Sequence, residues 1–253
     1  MTTPTSSPTA RWLGALAVLG ALLPAVASAQ DASVALVHRL LLDQRMVVTR
    51  ETQNQPATLG QRLASGDLVV TSSNTRAAIR FTDDGSLVRL NPNSRLHVRT
   101  TGNEGEVTKT LELEFGELWA RVTRQQQERG FQVQTPSGVA AVKGTEFVVR
   151  VDANGVTTVL TLEGAMDFFN GAGTVSVEAG RQATAANTNA LATVTEISAE
   201  EKAALGALVA DDADDDVMRI EIPVQNAEGI VHTVIMEVPR AQAEKILHPG
   251  GDQ

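Results

Sequence analysis

Apolar and polar residues alternate along most of the chain between residues 45 and 185, and a period of two places them on opposite faces of successive β-strands. Over Arg76–Phe81, Ala77, Ile79 and Phe81 share one face while Ala78 and Arg80 share the other. Leu96 and Val98 alternate with Arg95, His97 and Arg99, and Leu111–Phe115 and Glu117–Val122 alternate on either side of Gly116. The same reading predicts strands over Met46–Thr49, Leu68–Thr71, Ser86–Leu90, Phe131–Gln134, Glu146–Val151, Val156–Leu162, Ala165–Phe169, Thr174–Val177 and Arg181–Ala185. Upstream the pattern is different. Val34, Leu36, Val37, Leu40 and Leu41 fit a short helix or an irregular start, Gln53–Pro56 a turn, and Leu59–Asp67 a loop.

Turn residues separate these strands. Asp84-Gly85 and Asn154-Gly155 are hairpin signals because a tight turn needs positive φ, and Asn91-Pro92-Asn93-Ser94 marks another reversal. Thr135–Phe147 lies between two alternating stretches and carries Pro136, Gly138 and Gly144, so it reads as a shaped connection inside the β-domain. Glycines at 66, 85, 116, 144, 164 and 180, often about twenty residues apart, hint at stacked strand-turn-strand units. The predicted class is all-β and antiparallel, as either a β-sandwich or solenoid-like stacked sheets.

After Leu191 the character changes. Ser198 followed three residues later by Glu201 is a helix start, and Lys202–Val209 continues it. Asp211–Asp216 holds five aspartates in six positions and reads as a solvated linker. Val217–Pro223 and Ile230–Val238 then predict a C-terminal hairpin, either an addition to the main domain or a dimerisation piece, and Ala241–Leu247 a last helical turn or two. The expected organisation is an export signal (1–29), a lead-in to the β-domain (30–66), the β-domain (67–185), a helix with acidic linker (186–216) and the hairpin extension (217–253).

The signal rests on the apolar run Trp12–Val26, preceded by Arg11 and ending in Ala27-Ser28-Ala29. Cleavage after Ala29 is expected, leaving Gln30 first; an uncleaved anchor is the alternative, against which Pro24 and the small residues speak. The product is expected in the periplasm or secreted, without stable membrane insertion. The chain has 253 residues, 42% of them apolar and only 3% aromatic, so Val, Leu, Ala and Ile must supply the core. There is no cysteine, which rules out disulfides, thiol catalysis and cysteine metal sites. A net charge of -9 argues against nucleic acid or anionic lipid as a partner.

Several short motifs occur in order: Gly66-Asp67-Leu68 with Thr71, Ala78–Phe81 with Asp84-Gly85-Ser86, and Leu90 with Pro92 and Ser94. They continue with Leu113–Leu118 around Gly116, Thr135-Pro136, Gly144-Thr145-Glu146-Phe147, Glu163-Gly164-Ala165 and Val175–Gly180. Together, from about Asp67 to Gly180, they resemble the FecR-protein domain. The resemblance implies an all-β periplasmic domain of the kind that receives a signal from an outer-membrane transporter and controls a sigma factor. Such regulators carry a cytoplasmic anti-sigma segment and a membrane helix before the domain. Only ten residues precede Arg11 and the apolar run here, so sigma-factor control is not carried over. What is implied is a binding or sensing module of the envelope with a protein partner and no known catalysis.

Searching for chemistry leads to the same place. Lys143-Gly144-Thr145 has the wrong order for a phosphate loop and is followed by a strand, so it reads as a turn or bulge. His38, His97, His232 and His248 lack metal-ligand spacing, and there is no Gly-x-Ser-x-Gly elbow. Asp83 and Asp84 are neighbours in a turn and are expected to point apart. In the aspartate run, Val217 and Pro223 stand where a calcium loop needs glycine and glutamate. No catalytic residue, cofactor or metal is therefore expected. Phe168-Phe169 is the candidate partner surface, because neighbouring strand residues face opposite ways. An uncharacterised periplasmic enzyme with a site of scattered residues, or a glycan-binding protein, is the alternative.

Overall fold

The computed structural model describes residues 33–42, 45–102, 107–124, 130–210, 217–225 and 231–239. The first strands are β1 (Ser33–Leu42), β2 (Met46–Arg50), β3 (Gln53–Pro56), β4 (Arg62–Ala64), β5 (Leu68–Thr71) and β6 (Thr75–Phe81). They are followed by β7 (Leu87–Leu90), β8 (Arg95–Thr101), β9 (Thr108–Arg121), β10 (Gly130–Thr135), β11 (Gly138–Val142) and β12 (Glu146–Val151). The remainder are β13 (Thr157–Glu163), β14 (Ala165–Asn170), β15 (Gly173–Glu178), β16 (Arg181–Ala185), β17 (Thr193–Glu196), α1 (Ala199–Ala210), β18 (Val217–Gln225) and β19 (Val231–Pro239). The signal-cleavage residues Ala29 and Gln30, the aspartate run and Ala241–Leu247 lie outside the described residues.

The first seventeen strands form two sheets that share β9. Sheet A runs β4-β1-β6-β7-β9-β12-β13-β16-β17. Sheet B runs β3-β2-β5-β8-β9-β10-β11-β14-β15. β9 is central in both, contributing residues 108–115 to sheet B and 116–121 to sheet A. Its bend is at Gly116, where φ is +101° and a Cβ would lie 2.5 Å from the Ser94 Cα. The bend also switches the side-chain phase. Leu111 and Leu113 point inward before it, Leu118 and Ala120 after it, and all four are fully buried.

Beyond β9 the chain lays down hairpins in alternate sheets: β10-β11 in B, β12-β13 in A, β14-β15 in B, β16-β17 in A. The crossings between them pass Gly144, Gly164 and Gly180, which accounts for the regular glycine spacing. Sandwich and stacked winding are thus two descriptions of one architecture. Among the described residues the pairings are antiparallel, as expected, but for β9 with β10, which is parallel. A parallel neighbour is possible because bent β9 returns its end close to its beginning, so β10 starts beside Thr108.

Between the sheets lies one apolar core, including Phe81, Phe131 and Phe147, whose rings meet edge to face at 5.9 and 6.3 Å. A smaller cluster sits on the outer face of sheet A, where Ile197 and Leu205 of the α1 region cover Trp119, Val148 and Leu160. The helix begins as expected, with the Glu201 amide donating to Ser198 Oγ at 3.1 Å.

Four upstream expectations are corrected. The lead-in is a strand: β1 pairs with β4 and β6, and a bulge between Val37 and Arg39 shifts its alternation, which imitated helical spacing. Gln53–Pro56 is an exposed edge strand whose turn is at Glu51, with φ of 54°. The Leu59–Asp67 loop contains β4. In Thr135–Phe147, Gly138–Val142 is β11, so the connection is two tight turns around a strand. The C-terminal hairpin is present as β18-β19, paired from Val217↔Pro239 to Gln225↔Val231.

Candidate functional site

The motif residues singled out in the sequence hold the corners of the sandwich. Asp84 Oδ1 accepts from the Ser86 amide at 2.9 Å, fixing the β6-β7 turn at Gly85, and buried Ser86 Oγ accepts from the Thr123 amide at 3.3 Å. Asp83 and Asp84 do not diverge: both carboxylates converge on the ammonium of Lys109, at 2.9 Å for Asp83. Thr135 Oγ1 donates to the Gly138 carbonyl at 2.8 Å and accepts from Thr157 at 2.9 Å, closing the turn that carries Pro136. Thr145 donates to the Ala165 carbonyl at 2.9 Å, tying the Gly144 crossing to the one at Gly164. Phe147 is wholly buried.

At the end of the sandwich where β9 bends, three turns and the bend itself surround an open groove of about 1030 Å³. Its walls are Pro92 and Asn93 from the β7-β8 turn, Glu114 and Phe115 of β9, Pro136 of the β10-β11 turn, and Asp152–Gly155 of the β12-β13 turn. Glu117 lies at its base, accepting from both Asn91 and Arg150. Arg150 also pairs with Glu201 at 2.6 Å; burial draws its pKa down, but the two glutamates outweigh that and raise it. Asp152 Oδ1 is occupied by the amides of Asn154 and Val156, at 2.8 and 2.9 Å. The polar base is therefore internally satisfied, and Phe115, 41% exposed, lines the same groove as Pro92 and Pro136.

The partner surface read from the sequence divides in two. Phe168 is 1% exposed and belongs to the core, so it contributes no outer surface, whereas Phe169 is 39% exposed on the outer face of sheet B. Phe169 lies near the groove, because Asn170 next to it donates to the Ser137 carbonyl at 3.2 Å, beside Pro136. Elsewhere the outer face of sheet B carries charged pairs and the exposed Val47. His97 and Arg95 both meet Glu114, at 2.8 and 2.7 Å, and Arg99 meets Glu112 at 3.3 Å. His97 is therefore half-buried in a cross-strand ladder, not simply exposed.

Phe115 was missed by sequence reasoning because its alternation with Leu111 and Leu113 reads as core. A bulge turns it outward: Leu96 pairs with Leu113 but Arg95 with Phe115, so Phe115 shares the outer face with Arg95, and the only local sign in the sequence is the glycine that follows. Among the described residues no group of three or more His, Asp or Glu is placed to hold a metal ion, and no helix is long and apolar enough to cross a membrane.

Residues 67–167 match the family model described as FecR protein. The chain carries a FecR domain. That domain begins at the β4-β5 connection and ends within β14, so it includes the bend at Gly116 and the three turns around the groove. Two crystal structures of a "putative anti-sigma factor" from Parabacteroides distasonis ATCC 8503, at 1.65 and 2.50 Å resolution, are similar to the chain at 16% identity. Each likeness has a TM-score of 0.47 and covers 74% of this chain and 92% of that one. No curated protein matches the chain.

Proposed function

We propose that this protein is a non-catalytic binding and sensing module of the cell envelope, exported with cleavage between Ala29 and Gln30, which recognises a protein partner at the Gly116 end of its sandwich. The FecR domain supports a signalling role. The single observation that carries the site is Phe115, an exposed aromatic ring in a groove also lined by two prolines, whose polar base is already paired. Such a site offers apolar area to a partner without a buried charge to desolvate, which is what the centre of a protein interface requires. Phe169, beside the same turn, extends that surface.

The experiment is affinity capture from envelope extract with the wild-type chain, Phe115→Ser and Phe169→Ser in parallel, quantified by mass spectrometry. One envelope protein enriched by the wild type and reduced at least tenfold by Phe115→Ser is the expected result. Equal capture by all three chains would remove the groove from the account.

A further inference from the structure

Among the described residues, sheet A ends in β4 and β17 and sheet B in β3 and β15. An edge strand presents amides and carbonyls that can take up another strand unless it is short, charged or interrupted by proline. β4 has three residues, and β3 is polar and ends in Pro56. β17 has four residues and ends in Glu196. β15 is the exception. It has six residues, Gly173-Thr174-Val175-Ser176-Val177-Glu178, with no proline, a single charge at the last position and an unbroken register along β14.

The ladder fixes which groups of β15 face the open side. The Ala179 amide donates to the Gly164 carbonyl at 3.1 Å, which makes Gly164 and Ala179 a hydrogen-bonded pair. Alternation along the antiparallel ladder then turns the backbone groups of Gly173, Val175 and Val177 towards β14 and those of Thr174, Ser176 and Glu178 away from it. The side chains of Thr174, Ser176 and Glu178 are exposed, Val177 is fully buried, and half-buried Val175 packs against the core. Beside the start of the strand, Leu191 is 58% exposed, and a Cβ on Gly173 would stand 3.1 Å from its Cδ1. The edge thus joins three outward backbone positions to an apolar layer below and an exposed leucine at one end.

We infer that β15 is a self-association edge whose occupant is β15 of a second copy of this chain, antiparallel about a two-fold axis at Ser176. That axis sets Ser176 opposite Ser176, Thr174 opposite Glu178 and Val175 opposite Val177 of the second copy. The strand is complementary to itself in this register. Its three outward positions meet one another, so backbone bonds form in reciprocal pairs. Glu178 meets a threonine, not its own copy, and no like charges are opposed. Val175 and Val177 continue the apolar layer from one sandwich into the next. Gly173, with Leu191 beside it, comes opposite the exposed Ala179 of the second copy. Such an isologous contact closes after two chains.

Because the chain contains no cysteine, single introduced thiols report the register without background. Ser176→Cys, Thr174→Cys and Glu178→Cys chains are oxidised mildly, each alone, and Thr174→Cys also mixed with Glu178→Cys. Opposed positions lie about 5.5 Å apart between Cα atoms, within disulfide reach, whereas Thr174 is about 13 Å from its own copy. Expected is disulfide dimer from Ser176→Cys and from the mixture at least tenfold faster than from Thr174→Cys or Glu178→Cys alone. Sedimentation velocity gives the second reading. The wild type should show a concentration-dependent monomer-dimer equilibrium, weakened at least tenfold by Ser176→Pro, which removes an amide facing away from β14, and by Ser176→Lys, which opposes two ammonium groups at the axis. Circular dichroism checks that both variants fold. A wild type monomeric up to about 0.1 mM, equal disulfide rates at all positions, or a folded variant that dimerises as the wild type does would each overturn the inference.

Discussion

Lys109 enters the interior from sheet B, and its Nζ stands 2.9 Å from Asp83 Oδ2 in the turn between two strands of sheet A. Its side chain is 2% exposed, Asp84 6% and Asp83 31%. The ammonium also lies 5.1 Å from the Phe81 ring centroid. One buried cation therefore clasps the two sheets at the end opposite the β9 bend. Removing it takes the ammonium away from two carboxylates in a site with little water. Lys109→Met should cost about 3 kcal/mol, the low end for breaking a buried pair because Asp83 is partly solvated. Lys109→Met with Asp83→Asn and Asp84→Asn should recover part of that loss, since the carboxylate charges that faced the ammonium are then removed with it. Urea denaturation of the three proteins measures both effects.

The crossing at Gly144 has φ of +89°, and a Cβ there would lie 2.7 Å from the Arg124 Cα. The obstacle is backbone and cannot swing aside. Gly144→Val combines a forbidden backbone conformation with that clash, and the variant is expected to unfold or aggregate. Soluble yield and far-ultraviolet circular dichroism decide it, and a stable variant with the wild-type spectrum would count against the account of the crossing.

His38 makes stability depend on pH. Burial first, and then Arg80, Arg39 and Arg89, push its pKa from 6.5 down to about 3. The unfolded chain takes up this proton near pH 6.5 and the folded chain only near pH 3, so between those values the unfolded state binds more protons. The stabilisation is full above pH 6.5 and is lost as pH falls towards 3. At about pH 4.5 the loss from this group is roughly 2 to 3 kcal/mol. His38→Gln lacks that dependence, so its stability relative to wild type should rise by this amount between neutral pH and about 4.5. Parallel curves for the two proteins would contradict the assignment.

How much of this was legible in the sequence depended on what each residue's neighbours were. β6 and β8 could be read because apolar core residues alternate with charged ones, as with Ile79 against Arg80 and Leu96 against His97. β1 could not, since an extra residue at His38 breaks the period of two and both faces of the strand are buried. β3 escaped notice because Gln53, Asn54 and Gln55 have no apolar side to display. The double use of β9 was signalled by Gly116, but the glycine alone does not say which strands lie on either side. Pairings such as Leu36 with Arg80 join residues far apart in the chain, and no local pattern encodes them. The family motif was legible as fold: Asp84, Thr135 and Gly144 hold corners. The groove was hidden, because Phe115 looks like a core residue until the bulge between Leu113 and Phe115 is known.

The central claim is that the groove around Phe115 is where the protein meets its partner. A photo-crosslinking amino acid placed at Phe115 in the exported protein, with Val47 as a control exposed to a similar extent at 37%, tests this most directly. The account predicts one discrete envelope-protein adduct from position 115 and none from position 47. No adduct at 115, or the same adduct from both positions, would contradict it.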